Sequence, residues 1–535
     1  MKVTLLDCTL RDGGYYNKWD FDEKIVKHYL KAMNASCVDF VELGFRFQSK
    51  NTFFGPYAYT TDNFINSLKL PPGPKYGVMI NGKDFITSED KKNSLINSSF
   101  QKKEKSPISL IRIAMNFDSV LTSRSIVESL KDKGYLIGLN MMQSHGKIHE
   151  EYVNVAKALA SWDAIDVLFF ADSLGNMTPK DIKNICLSIR DGWDGELGIH
   201  THNNKTYALI NSITAIENGV SWVDGTITGM GRGAGNAPTE SLILEMSNSG
   251  YHNGNVKNIQ STIDDFTILK NKYNWGPNLY YHYSANHEIH PSFVQTLLEG
   301  RRYGANQIMG ALAFLADKDS SSFSANALRK AIYGNHSHYN GDWDASGWLS
   351  GETVLIVGAG PSVKKYKDYI LQYIEKQSPT VFHLNINPHL PSTNVKASIV
   401  CNETRILLDA SRYKYLNHPI IMPKKRIGML IQDELKELDI LDYGLILESE
   451  AFKIKSNFCI LGWPLAIAYA LSIITIGEPK AIHLVGFDGY DADDPRQKQM
   501  NDILKKYKNI KGSIPLISLT PTNYRIKQGS IFSVI

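Results

Sequence analysis

Short apolar or β-branched runs alternate with amphipathic stretches through the first half of the chain. Residues 3–7, 38–43, 76–80, 110–114, 136–141, 164–170, 196–199 and 222–226 are the runs, and they read as strands buried on both faces. Between them, residues 22–34, 123–133, 149–161, 179–191 and 206–218 carry apolar positions at helical spacing. Asp20 and Thr178 stand where N-caps belong, Thr178 directly before Pro179 at a first helical position. Eight such strands with intervening helices in about 250 residues is the size of a (β/α)₈ TIM barrel. A doubly wound open sheet shows the same alternation. The Lys- and Ser-rich residues 91–105 read as a solvated surface insertion.

Beyond the eighth strand the pattern changes twice. Residues 274–302, rich in Tyr and His, and the apolar 308–315 extend the first domain to about residue 333. A polar segment rich in Gly, His and Asp, residues 334–350, reads as a linker. From 351 to 535 a fresh α/β pattern predicts a smaller Rossmann-like domain. It begins with a strand at 353–357, the turn Gly358-Ala359-Gly360-Pro361-Ser362 and a helix at 363–375, with further strands at 381–385 and 481–485. The apolar residues 459–476 are broken by Gly462 and Pro464, so a buried helix is expected there and not a bilayer span.

Composition adds exclusions. With 535 residues, 43% of them hydrophobic and 21% charged, the chain is an ordinary globular protein of two or three domains. A net charge of +4 gives no case for nucleic acid binding. Five scattered cysteines form no CxxC pair, and the chain opens on a strand without a signal peptide. A cytoplasmic enzyme with reduced thiols is expected.

Two separated segments carry the candidate chemistry. Thr9-Leu10-Arg11-Asp12-Gly13 follows the first strand, and His200-Thr201-His202 closes the seventh. Residues two apart on a strand point the same way, so His200 and His202 can share one space. In a barrel, both segments reach the C-terminal rim. A carboxylate with two imidazoles suits Mn, Zn, Co or Fe and, less well, Mg. Arg11 supplies a fixed positive charge beside them, and Glu42 and Asp172 lie at strand ends on the same rim, placed to anchor ligands.

These residues also carry a family resemblance. Leu6-Asp7-Cys8-Thr9-Leu10-Arg11-Asp12-Gly13, Gly198-Ile199-His200-Thr201-His202-Asn203 and Gly229-Met230-Gly231-Arg232-Gly233-Ala234-Gly235-Asn236-Ala237-Pro238 resemble, in order, signatures of a metal-dependent barrel superfamily. It includes 4-hydroxy-2-oxovalerate aldolase, isopropylmalate synthase and HMG-CoA lyase. The resemblance implies metal ligation by Asp12, His200 and His202, with Asn236 as a weaker ligand, and enolate stabilisation by Arg11. The implied metal is Mn²⁺, with Mg²⁺, Co²⁺ or Zn²⁺ as alternatives, and the implied substrates are a 2-oxo acid such as pyruvate and an aldehyde. Residues 139–145 and 170–175 are similar to the fifth and sixth strands of the aldolase branch. That branch carries a His where this chain has Tyr15, and a Tyr near where it has His290, so these two are the candidates for acid–base work, with His290 leading because an imidazole near neutral pKa serves either half of a proton transfer.

The second-domain turn and Ile482-His483-Leu484-Val485-Gly486-Phe487-Asp488 faintly resemble sialyltransferase-like and motility-accessory-factor domains. This implies Gly358, Gly360, Ser362 and Asp488 around the phosphate of a nucleotide sugar. The expectation is a homo-oligomeric, divalent-metal-dependent aldolase acting through the enolate of a 2-oxo acid and serving surface-polysaccharide or unusual-sugar synthesis. The alternatives are acyl-CoA/2-oxo acid Claisen condensation and a non-catalytic nucleotide-sugar-binding scaffold.

Overall fold

The structure is a computed structural model describing residues 2–49, 52–299, 303–334, 340–387, 389–391, 394–426, 435–448, 450–490 and 495–535. It divides into two compact units, Met1–Gln295 with Lys318–Phe323, and Thr296–Asp317 with Ser324–Ile535. The helices Ala305–Ala316 and Ala325–Gly334 fall in the second unit. Residues 335–339 of the expected linker lie outside the described residues.

In the first unit, eight parallel strands close a barrel in sequence order: β1 (Thr4–Asp7), β2 (Phe40–Phe45), β3 (Lys75–Asn81), β4 (Leu110–Asn116), β5 (Leu136–Met142), β6 (Val167–Asp172), β7 (Glu196–Thr201) and β8 (Trp222–Gly225). The open-sheet alternative is thereby excluded. Each expected strand is present, displaced by up to three residues at its ends. The helix after β1, Glu23–Ala35, buries Val26, Tyr29, Leu30 and Met33 at i, i+3, i+4 and i+7. Its N-cap is Asp22 and not Asp20: the Asp22 carboxylate accepts from the Lys24 and Ile25 amides, which puts the helix start two residues later. Thr178 caps Pro179–Arg190 as its spacing predicts, in a capping box with Asp181. Residues 91–105 are more than a surface insertion. Helix Glu89–Ser99 lies there, and it buries Lys92 and Ile96.

The pleat sorts the strand residues into layers. At the bottom, Leu6, Phe40, Leu110, Val167, Phe169 and Trp222 form an apolar plug. Moving two residues along each strand changes the chemistry: Phe40 leads to Glu42, Leu110 to Arg112 and Trp222 to Asp224, all three fully buried. Arg112 lies over the Phe169 ring, its Cζ 4.0 Å from the ring centroid. That ring also explains Gly198, because a Cβ there would stand 2.3 Å from Phe169 Cδ1.

The second unit holds an all-parallel sheet flanked by helices. Its strands are β9 (Thr353–Val357), β10 (Thr380–Leu384), β11 (Val395–Ile399), β12 (Ile420–Met422) and β13 (Ile440–Asp442). Three further strands, β14 (Gly444–Leu447), β15 (Phe452–Ile454) and β16 (Phe458–Leu461), form a small separate sheet in the order β14-β16-β15. Then β17 (Ala481–Val485), β18 (Leu516–Ser518) and β19 (Lys527–Gln528) complete the large one, whose order is β13-β12-β11-β10-β9-β17-β18-β19. Order reverses between β9 and β17, the switch point of a doubly wound sheet. The expected helix over 459–476 is shorter: Gly462 and Pro464 separate strand β16 from the buried helix Ala466–Ile476. The helix expected over 363–375 breaks at Tyr366 into Pro361–Lys365 and Lys367–Gln377. Among the described residues no helix is long and apolar enough to cross a membrane.

Removing the ring beneath Arg112 tests the layering. Phe169→Ala is expected to cost about 3–5 kcal/mol. Hydrogen exchange under mild denaturant reads this as lost protection in peptides from β6, β7 and β8.

Candidate metal centre

After β1 the chain turns at once into the short helix Thr9–Asp12, entered through the Thr9 amide donating to Asp7 Oδ1 at 2.8 Å. Trp19 Nε1 donates to the Arg11 carbonyl at 2.8 Å and pins this turn from outside. His200 lies within β7. His202 follows it and forms an isolated antiparallel bridge with Asn236 of the Gly-rich loop. One ligand atom from each of Asp12, His200 and His202 lies within 4.8 Å of the others, and all three residues are buried.

The hydrogen bonds define what these groups have left to offer. His200 Nδ1 donates to Asp224 Oδ2 at 2.8 Å, which fixes the tautomer and turns the Nε2 lone pair toward Asp12 Oδ2, 3.7 Å away. Asp12 Oδ1 accepts from Arg11 Nη1 at 2.8 Å, while Asp12 Oδ2 has no partner. His202 Nδ1 and Asn236 Oδ1 are likewise buried without partners. Each unsatisfied buried group costs about 1–3 kcal/mol, so three at one point need an explanation. A carboxylate oxygen, two imidazole nitrogens and an amide oxygen form a donor set that fits a divalent ion. Asn236 Nδ2 also lies 3.1 Å from His200 Nε2, so the amide reaches the same point. Gly231 makes room for it: a Cβ there would fall 1.6 Å from Asn236 Oδ1 and 2.8 Å from Asp12 Oδ2.

Beneath this set lies a network that inspection of the chain alone misses. Asp224 Oδ2 accepts from Arg112 Nη2 at 2.8 Å as well as from His200. Arg112 Nε donates to Asn140 Oδ1 at 3.2 Å, and its Nη1 lies 3.5 Å from Glu42 Oε2. Glu42 Oε2 accepts from Arg11 Nε at 2.7 Å, so Glu42 holds the arginine beside Asp12 and touches no ligand itself. A signal was present in the chain: Arg112 and Asp224 are charged residues inside otherwise apolar strand runs. Asp172, expected as an anchor, is turned elsewhere. Its Oδ1 accepts from the Asn176 and Met177 amides and closes its own loop.

Burial works against the charge on Asp12, but Arg11, then His202 and His200, outweigh it and hold the carboxyl far below its usual range. Burial drives His202 well down, so it stands as a neutral imidazole. Cys8 also lies near His200 and Asp224. Burial holds its thiol well above the ordinary range, and Sγ donates to the Gly225 carbonyl.

A cavity of about 520 Å³ opens over the site, with Tyr15, Trp19 and Arg232 on its wall beside Asp12, His200 and His202. Tyr15 packs edge-on against Trp19, ring centroids 4.9 Å apart. His290 is not on that wall. Its Nδ1 accepts from the Ser292 amide, and burial, then the Arg232 charge, push its pKa down to about 3.

The second unit brings Gly358, Gly360, Ser362 and Asp488 together at the β9/β17 switch point. Ser362 donates its amide to Asp488 Oδ1 at 3.1 Å and its hydroxyl to Asp488 Oδ2 at 2.7 Å. The Gly358 and Gly360 amides go to the carbonyls of Val485 and Gly486. The turn thus binds a carboxylate of its own chain.

Two outcomes follow from this geometry. Calorimetric titration with Mn²⁺ is expected to show affinity reduced at least about 100-fold in His200→Ala, and about 10–100-fold in Asp224→Asn, which loosens the imidazole. The second concerns pH. Burial raises the Asp172 pKa to about 7, against backbone N–H groups that lower it. The folded state therefore holds a proton that the unfolded chain releases near pH 4. The resulting stability is complete below pH 4 and is lost as pH rises through 7. Relative to Asp172→Asn, the wild-type protein should lose about 2–4 kcal/mol between pH 4 and 8, read from denaturant midpoints.

Comparison with known proteins agrees with this geometry. The HMGL-like family profile matches residues 106–268. The 4-hydroxy-2-oxovalerate aldolase of Carboxydothermus hydrogenoformans is 28% identical over 257 residues, 47% of this chain and 73% of that protein. A Rhodococcus opacus enzyme of the same name is 26% identical over 260 residues, 47% of this chain and 71% of its own. Among solved structures, the carboxyl transferase domain of Rhizobium etli pyruvate carboxylase shares the fold at 15% identity and a TM-score of 0.50, covering 62% of this chain and 60% of that one. The N-terminal domain of a suspected aldolase from Bacteroides vulgatus is 33% identical with a TM-score of 0.51, over 57% of this chain and 99% of that domain. With that domain matched almost end to end and the three signatures meeting at one rim, the chain belongs to the HMGL-like superfamily of aldolase and acyl-CoA condensing barrels.

Proposed function

We propose that the barrel is a divalent-metal-dependent carbon–carbon lyase or synthase that works through the enolate of pyruvate or a related 2-oxo acid, with a carbonyl compound as partner. The observation that carries this reading is that Asp12, His200 and His202 come within ligand-sharing distance of one another beside Arg11 on the wall of one cavity, with Asp12 Oδ2 and His202 Nδ1 buried without partners. Asp12, His200 and His202, with Asn236 as a weaker fourth, would hold the ion. Mn²⁺ suits the mixed nitrogen and oxygen set, and Mg²⁺, Co²⁺ or Zn²⁺ are the alternatives. A bound divalent ion supplies Lewis acidity toward the carboxylate and keto oxygens of the 2-oxo acid.

The chain's own groups do the rest. Arg11 spends Nε on Glu42 and Nη1 on Asp12, which leaves the buried Nη2 without a partner. That N–H is aimed and preorganised for the oxygen on which charge develops when the C3–C4 bond of a 4-hydroxy-2-oxo acid breaks. In the synthetic direction the new alkoxide needs a proton. Tyr15 stands on the cavity wall, and its phenol is protonated at neutral pH and able to donate. His290, neutral and off the wall, is the weaker of the two acid–base candidates.

Exchange of the pyruvate methyl protons in D₂O, followed by NMR after the ion is removed, tests the reading. Exchange should require a divalent metal and fall about 100–1,000-fold in Arg11→Gln. No exchange with Mn²⁺, Mg²⁺, Co²⁺ or Zn²⁺ would sink it.

A further inference from the structure

Three arginines approach the metal-binding end of the barrel, and one of them has no ion-pair partner among the described residues. Arg11 is paired with Asp12 and Glu42, and Arg112 with Asp224 and Glu42. Arg232 lines the same cavity, yet among the described residues no carboxylate lies within ion-pair distance of it. Its Nη2 donates to the Ser173 carbonyl at 3.3 Å, a long contact, and its Nε is buried without a partner. The guanidinium stands over the Tyr15 ring, 5.7 Å from the centroid. A half-buried guanidinium on the wall of an open cavity, with no carboxylate in ion-pair distance, is a receptor for an anion.

The backbone presents this side chain in a fixed position. Gly233 adopts φ +68°, and a Cβ there would stand 2.7 Å from the Pro291 Cβ. The Gly233 carbonyl accepts from the Tyr16 hydroxyl at 2.5 Å, and the Arg232 carbonyl accepts from the Gly235 amide at 3.2 Å. A guanidinium held in this way loses little freedom when a ligand arrives. Space points the same way. A cavity of about 520 Å³ falls among those that enclose drug-sized ligands, well beyond a three-carbon acid with a two-carbon aldehyde. Asp84, the remaining acidic side chain on the wall apart from Asp12, accepts from Asn81 Nδ2 at 3.3 Å and forms no ion pair with Arg232.

We propose that Arg232 is a specificity residue that receives a second anionic group of the substrate. The partner of the 2-oxo acid is then itself an acid, a carbonyl compound bearing a carboxylate or a phosphate, and not a neutral aldehyde. This rests on the reading of the barrel as a 2-oxo acid enzyme, but its test needs no turnover.

Binding of 2-oxoglutarate and of 2-oxopentanoate, which share five carbons and differ by one carboxylate, is compared by calorimetry on the full-length Mn²⁺-loaded protein. A five-carbon 2-oxo acid ending in phosphonate is the third ligand. The dianions are expected to bind about 10–100-fold tighter than 2-oxopentanoate, as a charge-assisted hydrogen bond requires. The ratio should fall to near one in Arg232→Gln and stay intermediate in Arg232→Lys. The better of the two dianions identifies carboxylate or phosphate as the group received. Equal affinity of mono- and dianions in the wild-type protein would overturn the proposal, as would a preference that survives in Arg232→Gln. Dianion preference without methyl exchange would sink the catalytic reading alone, and exchange without preference would sink this one alone.

Discussion

A guanidinium sealed inside a barrel dictates the chemistry above it. Arg112 is fully buried, and an unpaired charge in that position would be prohibitive. It must be met by carboxylates reaching in from other strands of the barrel, and Asp224 and Glu42 meet it. Those same carboxylates then face upward. Asp224 takes the Nδ1 proton of His200, and Glu42 takes Nε of Arg11. One buried cation thus sets a histidine tautomer on one side and an arginine rotamer on the other. Both groups that face Asp12 are oriented by the residue beneath them, before any ion or substrate arrives.

This dependence explains how much of the protein could be read from its chain. Alternation of apolar runs revealed the eight strands, and residue types revealed Asp12, His200 and His202, because a strand places alternate side chains on one face. Asp224 and Arg112 escaped notice although both lay inside correctly assigned strands. Their roles depend on which strands face one another across the barrel, and β4 and β8 are not neighbours in the sheet. Asp172 was misjudged for a related reason. Its strand end is on the rim, but the amides of Asn176 and Met177 lie nearer than any imidazole and claim its carboxylate. Cap position failed at Asp20 because two acidic residues stand two apart, and only the helix register decides between them.

The second unit shows the limit of motif reading from the opposite side. The turn after β9 and the segment after β17 were recognised as belonging together, and they meet at the switch point. What their chemistry provides was not legible. Asp488 fills the space at Gly360 so closely that a Cβ there would stand 2.0 Å from Asp488 Oδ2. The turn is satisfied from within, and its glycine is accounted for by that approach.

The Gly-rich loop of the barrel joins these arguments. Gly231 has no side chain because Asn236 Oδ1 and Asp12 Oδ2 occupy the volume a Cβ would need, and Gly233 turns left-handed against Pro291. The residue between them is under neither constraint and carries an arginine that reaches the cavity wall. Arg232 is therefore the one position in residues 231–233 whose side chain is not excluded by a close neighbour, while Gly231 is tied to Asn236 and Asp12 and Gly233 to Pro291. A loop built in this way separates the two tasks of the site. On the proposed reading, Gly231 and Asn236 belong to the metal-binding geometry, and Arg232 to the selection of substrate.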